Sequence, residues 1–322
     1  MRAWVNDIAN DRIDLREIPE PQPGPGELLI EVKAAGVNRA DLAMRGGRYR
    51  PGFGSLEVAG IEGAGVVIGT GPGCERFGVG DRVMGMCTGT YAERCLLDDG
   101  IAIAVPEAVS FLEAAVLPVG CCTQHDAIVS KARLHKGEHL LVTAATSGVG
   151  ELALKIGRIM GAGSVIGTTR TASRAERVGA ADHMVLTGDG FVDQVRSLTG
   201  GAGADVIVDQ VGGNLVQDLI DAASIGARIV SVGRLGGAIS EINTDELARK
   251  QISLIGVTFR TRDRAGYASV AQAAEADLAA PIASGALRAL VEQTFEFDQA
   301  EGAQDALAQG NFVGKIALHI AD

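Results

Sequence analysis

Residues 139–160 limit the possible folds more than any other stretch of the chain. His139-Leu140-Leu141-Val142-Thr143 is a short apolar run, a turn of small residues follows, and Leu152, Ile156, Ile159 and Met160 then recur at helical spacing. A strand that passes into a helix through such a turn is the first half of a βαβ unit. The rhythm repeats downstream. Strand-like runs stand at 164–168, 205–209 and 228–232, a helix-like stretch at Leu215 to Ala223, and a last strand at Ser253-Leu254-Ile255-Gly256-Val257. Strands alternating with helices require a parallel, doubly wound α/β sheet.

The residues before about 118 have a different character. Glu27 to Ala34, Gly63 to Gly69 and Asp81 to Gly85 read as strands, separated by Pro19, Pro21, Pro23, Gly24, Pro25, Gly26 and by Gly71-Pro72-Gly73. From about 288 the chain reverts to β patterns, ending in Lys315 to Ile320. A chain of 322 residues suits two domains, and 47 % apolar residues supply their cores. The net charge of −11 argues against a general nucleic-acid partner. No apolar stretch approaches the roughly 18 residues of a membrane span, and the first residues lack the apolar core of a signal peptide. Cys74, Cys87, Cys95, Cys121 and Cys122 are odd in number and lack C-x-x-C spacing, as expected of reduced thiols in a cytoplasmic protein.

The turn Ala145-Thr146-Ser147-Gly148-Val149-Gly150 carries the first functional signal. Its peptide N–H groups, at a helix start, suit a pyrophosphate, so Ser147, Gly148, Val149 and Gly150 are cofactor-binding candidates. Two of the three glycines of G-x-G-x-x-G are replaced, by Ala145 and Ser147, and a tight turn without ligand is the rival reading. About 20 residues on, a binder of NAD places an acid for the ribose diol. Here Gly167-Thr168-Thr169-Arg170-Thr171-Ala172-Ser173-Arg174 contains none before Glu176. Hydroxyls and arginines fit a 2′-phosphate, so Thr168, Thr169, Arg170 and Arg174 point to NADPH. The rival is a solvated helix start.

These residues, taken with others in order, resemble the zeta-crystallin-like quinone oxidoreductases of the medium-chain dehydrogenase/reductase superfamily. Gly36-Val37-Asn38-Arg39-Ala40-Asp41, continued by Arg45, Gly47 and Tyr49, matches that branch's G-V-N-x-x-D-x-x-x-R-x-G-x-Y. Gly60-Ile61-Glu62-Gly63-Ala64-Gly65, Val79 to Val83, Gly89 to Glu93, Ser147 to Gly150, Asp209 with Gly212-Gly213, and Gly314-Lys315-Ile316 follow in register. The resemblance runs almost end to end. It implies a GroES-like β-rich catalytic domain at 1–118 and 263–322, with a Rossmann domain inserted at 119–262. Two departures stand out: Gln124-His125-Asp126 follows Thr123 where Thr-Ala is common, and Gln210 fills the variable place after Asp209.

The resemblance also bears on metal. Zinc-dependent members place Cys and His where this chain has Asn38 and Ile61, and neither an amide nor an alkyl chain replaces those ligands. The four-cysteine lobe is absent as well, so no metal is expected. Without a Lewis acid the suitable acceptors are already electron-poor, a quinone or an unsaturated carbonyl compound, and the protein's work is orientation and oxyanion stabilisation. Asn38, in the old metal slot, is a catalytic candidate, with a structural loop Asn as the rival. Asp41 either orients Asn38 or Arg45 or caps a helix, and Tyr49 either donates to the acceptor oxygen or packs. Thr123 reads as a nicotinamide contact or a helix cap, Cys121-Cys122 as packing residues, and His125 as a helix-surface residue. Gly233 and Phe259-Arg260 complete the cofactor candidates. Enone, alkenal or enoyl-thioester reduction, and NADPH binding without turnover, remain as alternatives. Gln251 to Thr258 is expected as an apolar edge strand pairing two copies in a homodimer.

Overall fold

The computed structural model describes residues 1–321. By its internal contacts the chain forms two units: Met1–Cys122 together with the segment that begins at Phe259, and Thr123–Thr258. The first boundary lies inside a helix, because the apolar run through Cys121-Cys122 continues a turn that starts at Pro118.

In chain order, the first part of unit one contains β1 (Arg2–Asp7), β2 (Arg12–Glu17), β3 (Glu27–Val37), α1 (Arg39–Arg45), β4 (Glu62–Thr70), β5 (Arg82–Met86), β6 (Arg94–Asp98), β7 (Ile103–Ala104), α2 (Phe111–Ala114) and the start of α3 (Pro118–His125), whose residues from Thr123 on belong to unit two. Unit two carries β8 (His139–Val142), α4 (Gly148–Ile159), β9 (Ser164–Thr169), α5 (Ala172–Ala175), β10 (His183–Leu186), α6 (Phe191–Leu198), β11 (Ala204–Asp209), α7 (Leu215–Ala222), β12 (Ala223–Ser231), α8 (Thr244–Arg249) and β13 (Ser253–Gly256). The chain returns to unit one with α9 (Arg264–Ala283), β14 (Val291–Glu296), α10 (Ala300–Gln309) and β15 (Lys315–His319).

Unit two is a six-stranded sheet in the order β10-β9-β8-β11-β12-β13, every pair parallel. Its strands are continuous apolar runs because helices cover both faces. Leu141, Ile166, Ile207 and Ile229 are buried in its core with Phe191, Leu219 and Ile220 from the helices. Strand order reverses between β8 and β11, and the crevice beyond the carboxyl ends at such a reversal is where doubly wound sheets take ligands. β13 is an edge, with Leu254 47 % exposed.

Unit one holds a mixed sheet in the order β14-β15-β3-β4-β5-β7, with β6 also on β3. β15 runs antiparallel to β3, with Ile316 opposite Val37, and β4 runs antiparallel to β3, with Gly63 opposite Ala35. These registers bring the start of β15 and the start of β4 to the end of β3, where α1 begins. The 20-residue α9 carries no element in the sequence reading, and α10 lies where the sequence reads as β. α9 has apolar and alanine residues on nearly every face, so its pattern hides its period, yet Tyr267, Val270, Ala271, Ala274, Leu278 and Ile282 are buried.

Candidate active site

The turn after β8 presents backbone N–H groups at the carboxyl end of the strand. Ser147 caps α4 by accepting from the Gly150 N–H at 3.1 Å and itself donates to the Ala144 carbonyl at 2.8 Å. A side chain at Gly150 would collide with that same Ala144 carbonyl, so this third glycine is kept while the first two are not. The N–H groups of the first turn of a helix have no partner within it, and here they belong to Gly148 and Val149 at the carboxyl end of β8. At the end of β9, Thr168 is fully buried and its Oγ1 lacks a hydrogen-bond partner, while Thr169 Oγ1 accepts from the Thr171 N–H at 3.3 Å. Arg170 is exposed and Arg174 half-buried just beyond. An orphaned hydroxyl, two arginines and a helix N-terminus at the carboxyl ends of adjacent strands fit a dinucleotide carrying a 2′-phosphate.

Between β8 and β11 the structure joins residues that are far apart in sequence. Thr143 Oγ1 donates to Asp209 at 3.0 Å and accepts from the Gln210 N–H at 2.7 Å. Asp209 also accepts from the Val211 and Gly212 N–H groups at 2.9 and 3.0 Å, which tightens the turn. The Gly233 N–H reaches the Asp209 carbonyl at 3.1 Å, which places this residue at the switch point too. The two departures from the family pattern meet here: Gln210 Nε2 donates to Gln124 Oε1 at 2.9 Å, both side chains buried. Thr123 precedes this contact and lies inside α3, so it is not a helix cap. His125 is 2 % exposed and not on the helix surface as expected, because α3 is packed at this point.

In unit one, Asn38 ends β3 and leads into α1. Its Oδ1 accepts from Lys315 Nζ at 2.7 Å and its Nδ2 donates to Glu62 Oε1 at 2.8 Å. Lys315 Nζ also reaches Glu62 Oε1 at 2.6 Å, and Glu62 Oε2 accepts from the Val119 N–H at 2.8 Å. All three side chains are buried. Gly36 has no side chain because Glu62 occupies that space. Asp41, one turn on, accepts from the Asn38 N–H at 2.7 Å and from the Tyr91 hydroxyl at 3.0 Å, so it orients Asn38 and caps α1 at once. It does not pair with Arg45, which reaches Asp11 and Gln304. Burial pushes the Asp41 carboxyl up to about 7, against the opposing pull of those two hydrogen bonds. Burial likewise pushes the Cys121 thiol up to about 12, the Glu62 charge adding to it, which leaves an inert packing residue.

Tyr49 follows α1. The Arg260 guanidinium lies over its ring, 4.7 Å from the centroid. Burial raises the phenol, and the Arg260 charge opposes the shift. Phe259 packs on Tyr267 with ring centroids 4.9 Å apart, and its carbonyl accepts from the Gly52 N–H at 3.2 Å. Among the described residues, no group of three or more His, Cys, Asp or Glu side chains is arranged to hold a metal ion. Asn38 and Ile61 stand in the two ligand slots, and Glu62 is committed to Lys315, so the donor set does not fit zinc.

The sequence pointed to Asn38, Asp41 and the turn at 147–150. It gave no link from Asn38 to Glu62, Lys315 and Tyr91, although Gly60-Ile61-Glu62 and Gly314-Lys315 could be quoted as motifs. Only the register of β15 and β4 on β3 makes them neighbours.

Residues 24–125 match the alcohol dehydrogenase GroES-like domain and residues 148–275 the zinc-binding dehydrogenase family. The chain is 31 % identical to rat "Quinone oxidoreductase-like protein 2" over 260 residues, covering 80 % of this chain and 74 % of that one. A quinone oxidoreductase from Pseudomonas syringae pv. Tomato superposes with a TM-score of 0.84 at 28 % identity, covering 99 % of both chains. A mycobacterial protein solved in complex with NADPH superposes with a TM-score of 0.86 at 28 % identity, covering 99 % of this chain and 100 % of that one. No helix among the described residues is long and apolar enough to cross a membrane.

Proposed function

The chain belongs to the quinone oxidoreductases of the medium-chain dehydrogenase/reductase superfamily, and from that premise we propose that it is an NADPH-dependent, zinc-independent reductase acting on quinones. The observation that carries this reading is what stands in the two metal slots: an amide tied to Glu62 and Lys315, and the alkyl chain of Ile61. Bound NADPH supplies the hydride. Ser147, Gly148, Val149 and Gly150 hold the pyrophosphate, Thr168, Thr169, Arg170 and Arg174 receive the 2′-phosphate, and Thr123 and Gly233 border the nicotinamide. Asn38 and Tyr49 serve the acceptor oxygen, with Asp41 holding Asn38 in place.

A quinone suits this equipment. Hydride addition gives an aromatic hydroquinone anion that solvent protonates, so no metal is needed to polarise the carbonyl. The exposed edge strand β13 is the surface on which two copies would pair in a homodimer. The deciding experiment is NADPH oxidation with 1,4-benzoquinone, 9,10-phenanthrenequinone, a 2-alkenal and crotonyl thioester, with and without EDTA. Fastest turnover with the quinones, unchanged by the chelator, is expected. Turnover confined to the alkenal or thioester would reassign the enzyme to double-bond reduction, and loss of activity with EDTA would overturn zinc independence.

A further inference from the structure

The contacts around Asn38 form a closed ring. Lys315 Nζ touches Asn38 Oδ1 and Glu62 Oε1, and Asn38 Nδ2 returns to the same Glu62 oxygen. Glu62 is fully buried and Lys315 is 4 % exposed. Stability alone is a poor reason for such a ring, since a buried ion pair is often no better than apolar residues of the same volume. What the ring does supply is orientation. An asparagine amide has two N–H donors. One is spent on Glu62. The other has only the Gly36 carbonyl at 3.5 Å, beyond good hydrogen-bond distance. The ammonium on Oδ1 draws electron density from the amide, which makes that remaining N–H a stronger donor.

We infer that Lys315 and Glu62 are positioning residues for Asn38, locking and polarising its amide so that the remaining Nδ2–H stabilises the oxyanion formed on the acceptor. The inference rests on the proposed reading that the acceptor is reduced at Asn38. No bond to Asn38 is made or broken. Hydride adds to the acceptor, the negative charge collects on its oxygen, Asn38 donates a hydrogen bond while keeping its proton, and solvent delivers the proton that completes the product. The zinc-dependent branch meets the same charge with a metal ion, whereas here the cation bound to Asn38 is an internal ammonium already paired with Glu62. That arrangement suits an acceptor whose anion is intrinsically stable.

The test uses the double variant Glu62→Gln/Lys315→Met, because either single change leaves a buried charge unpaired. It is measured with NADPH bound, for melting temperature, NADPH affinity, kcat and KM with 1,4-benzoquinone and a 2-alkenal, and affinity for 4-nitrophenol as an oxyanion mimic read by absorbance. The expected outcome is an intact fold and NADPH affinity within about twofold, kcat reduced roughly tenfold or more, more with the alkenal than with the quinone, and a parallel loss of phenolate affinity. A folded double variant with wild-type kcat and phenolate affinity overturns the inference. Should the variant fail to fold, wild-type protein still decides: 4-nitrophenol bound as phenolate supports it, and bound as neutral phenol refutes it. Absence of NADPH oxidation by the wild type with every acceptor would instead refute the reductase reading, and the phenolate measurement, which needs no turnover, would still judge the role of Lys315 and Glu62.

Discussion

The proposed phosphate turn of unit two and the Asn38 ring of unit one are made of opposite materials. At 147–150 the groups proposed to hold the ligand are backbone N–H donors, so side-chain identity matters only where bulk would block the approach, and Ala145 and Ser147 can stand where glycines are usual. At Asn38 the groups are side chains brought from distant positions: 38, 62 and 315 bond one another, and Asp41 links the Tyr91 hydroxyl to the Asn38 N–H. A backbone site tolerates substitution and is local, whereas a side-chain network is intolerant and spread through the sequence.

The largest expected effect lies in the side-chain network. The folded state keeps the Asp41 proton to about pH 7, whereas an unperturbed carboxyl at 3.8 has lost it. A raised carboxyl favours the folded state while protonated, so its contribution is full below the unfolded value and is lost as pH rises toward 7. The change is on the order of 4 kcal/mol. Asp41→Asn can still accept from Asn38 and Tyr91 and should remove this slope. Urea unfolding of both proteins between about pH 4 and pH 7 measures it, and parallel curves would show that Asp41 is ionised throughout.

Next comes the one side chain the backbone site forbids. Gly150→Ala should cost about 3 kcal/mol, the upper end for overpacking, and should abolish NADPH binding, because relief from the Ala144 carbonyl moves the first turn of α4. Thermal unfolding and calorimetric titration test both parts. Binding that survives would mean the turn is more compliant than a backbone site should be.

The smallest effect is expected where side chains assist the backbone site. Arg170 is exposed, so it contributes charge without packing. Arg170→Ala should weaken NADPH about ten- to a hundredfold, one charge-assisted contact of roughly 1.5–3 kcal/mol, and leave NADH nearly unchanged. Equal losses for both cofactors would remove the 2′-phosphate from the assignment.

The contrast also explains what could be read from the chain. Five of the six strands of unit two, with α4 and α7, follow from short apolar runs and helical spacing, since each βαβ unit is local; β10, α5, α6 and α8 carry no such signal. Asn38 and Asp41 were named together because one short motif of the family resemblance, G-V-N-x-x-D, holds both. α9 was not, because its alanine-rich faces carry no clear period, and the Gln124–Gln210 contact was visible only as two separate departures until the fold brought together α3 and the turn after β11.

The sequence by itself determined the parallel sheet, the place of the small-residue turn between β8 and α4, and that Asn38 and Ile61, not Cys and His, stand at their positions. These are properties of neighbouring residues, and local propensity and side-chain chemistry suffice to state them. Tertiary structure alone decided what Asn38 is bound to. Strand register, not sequence distance, sets Lys315 and Glu62 against its amide, and burial, not composition, raises the Asp41 carboxyl. Register and burial depend on how the whole chain packs, which no single segment encodes.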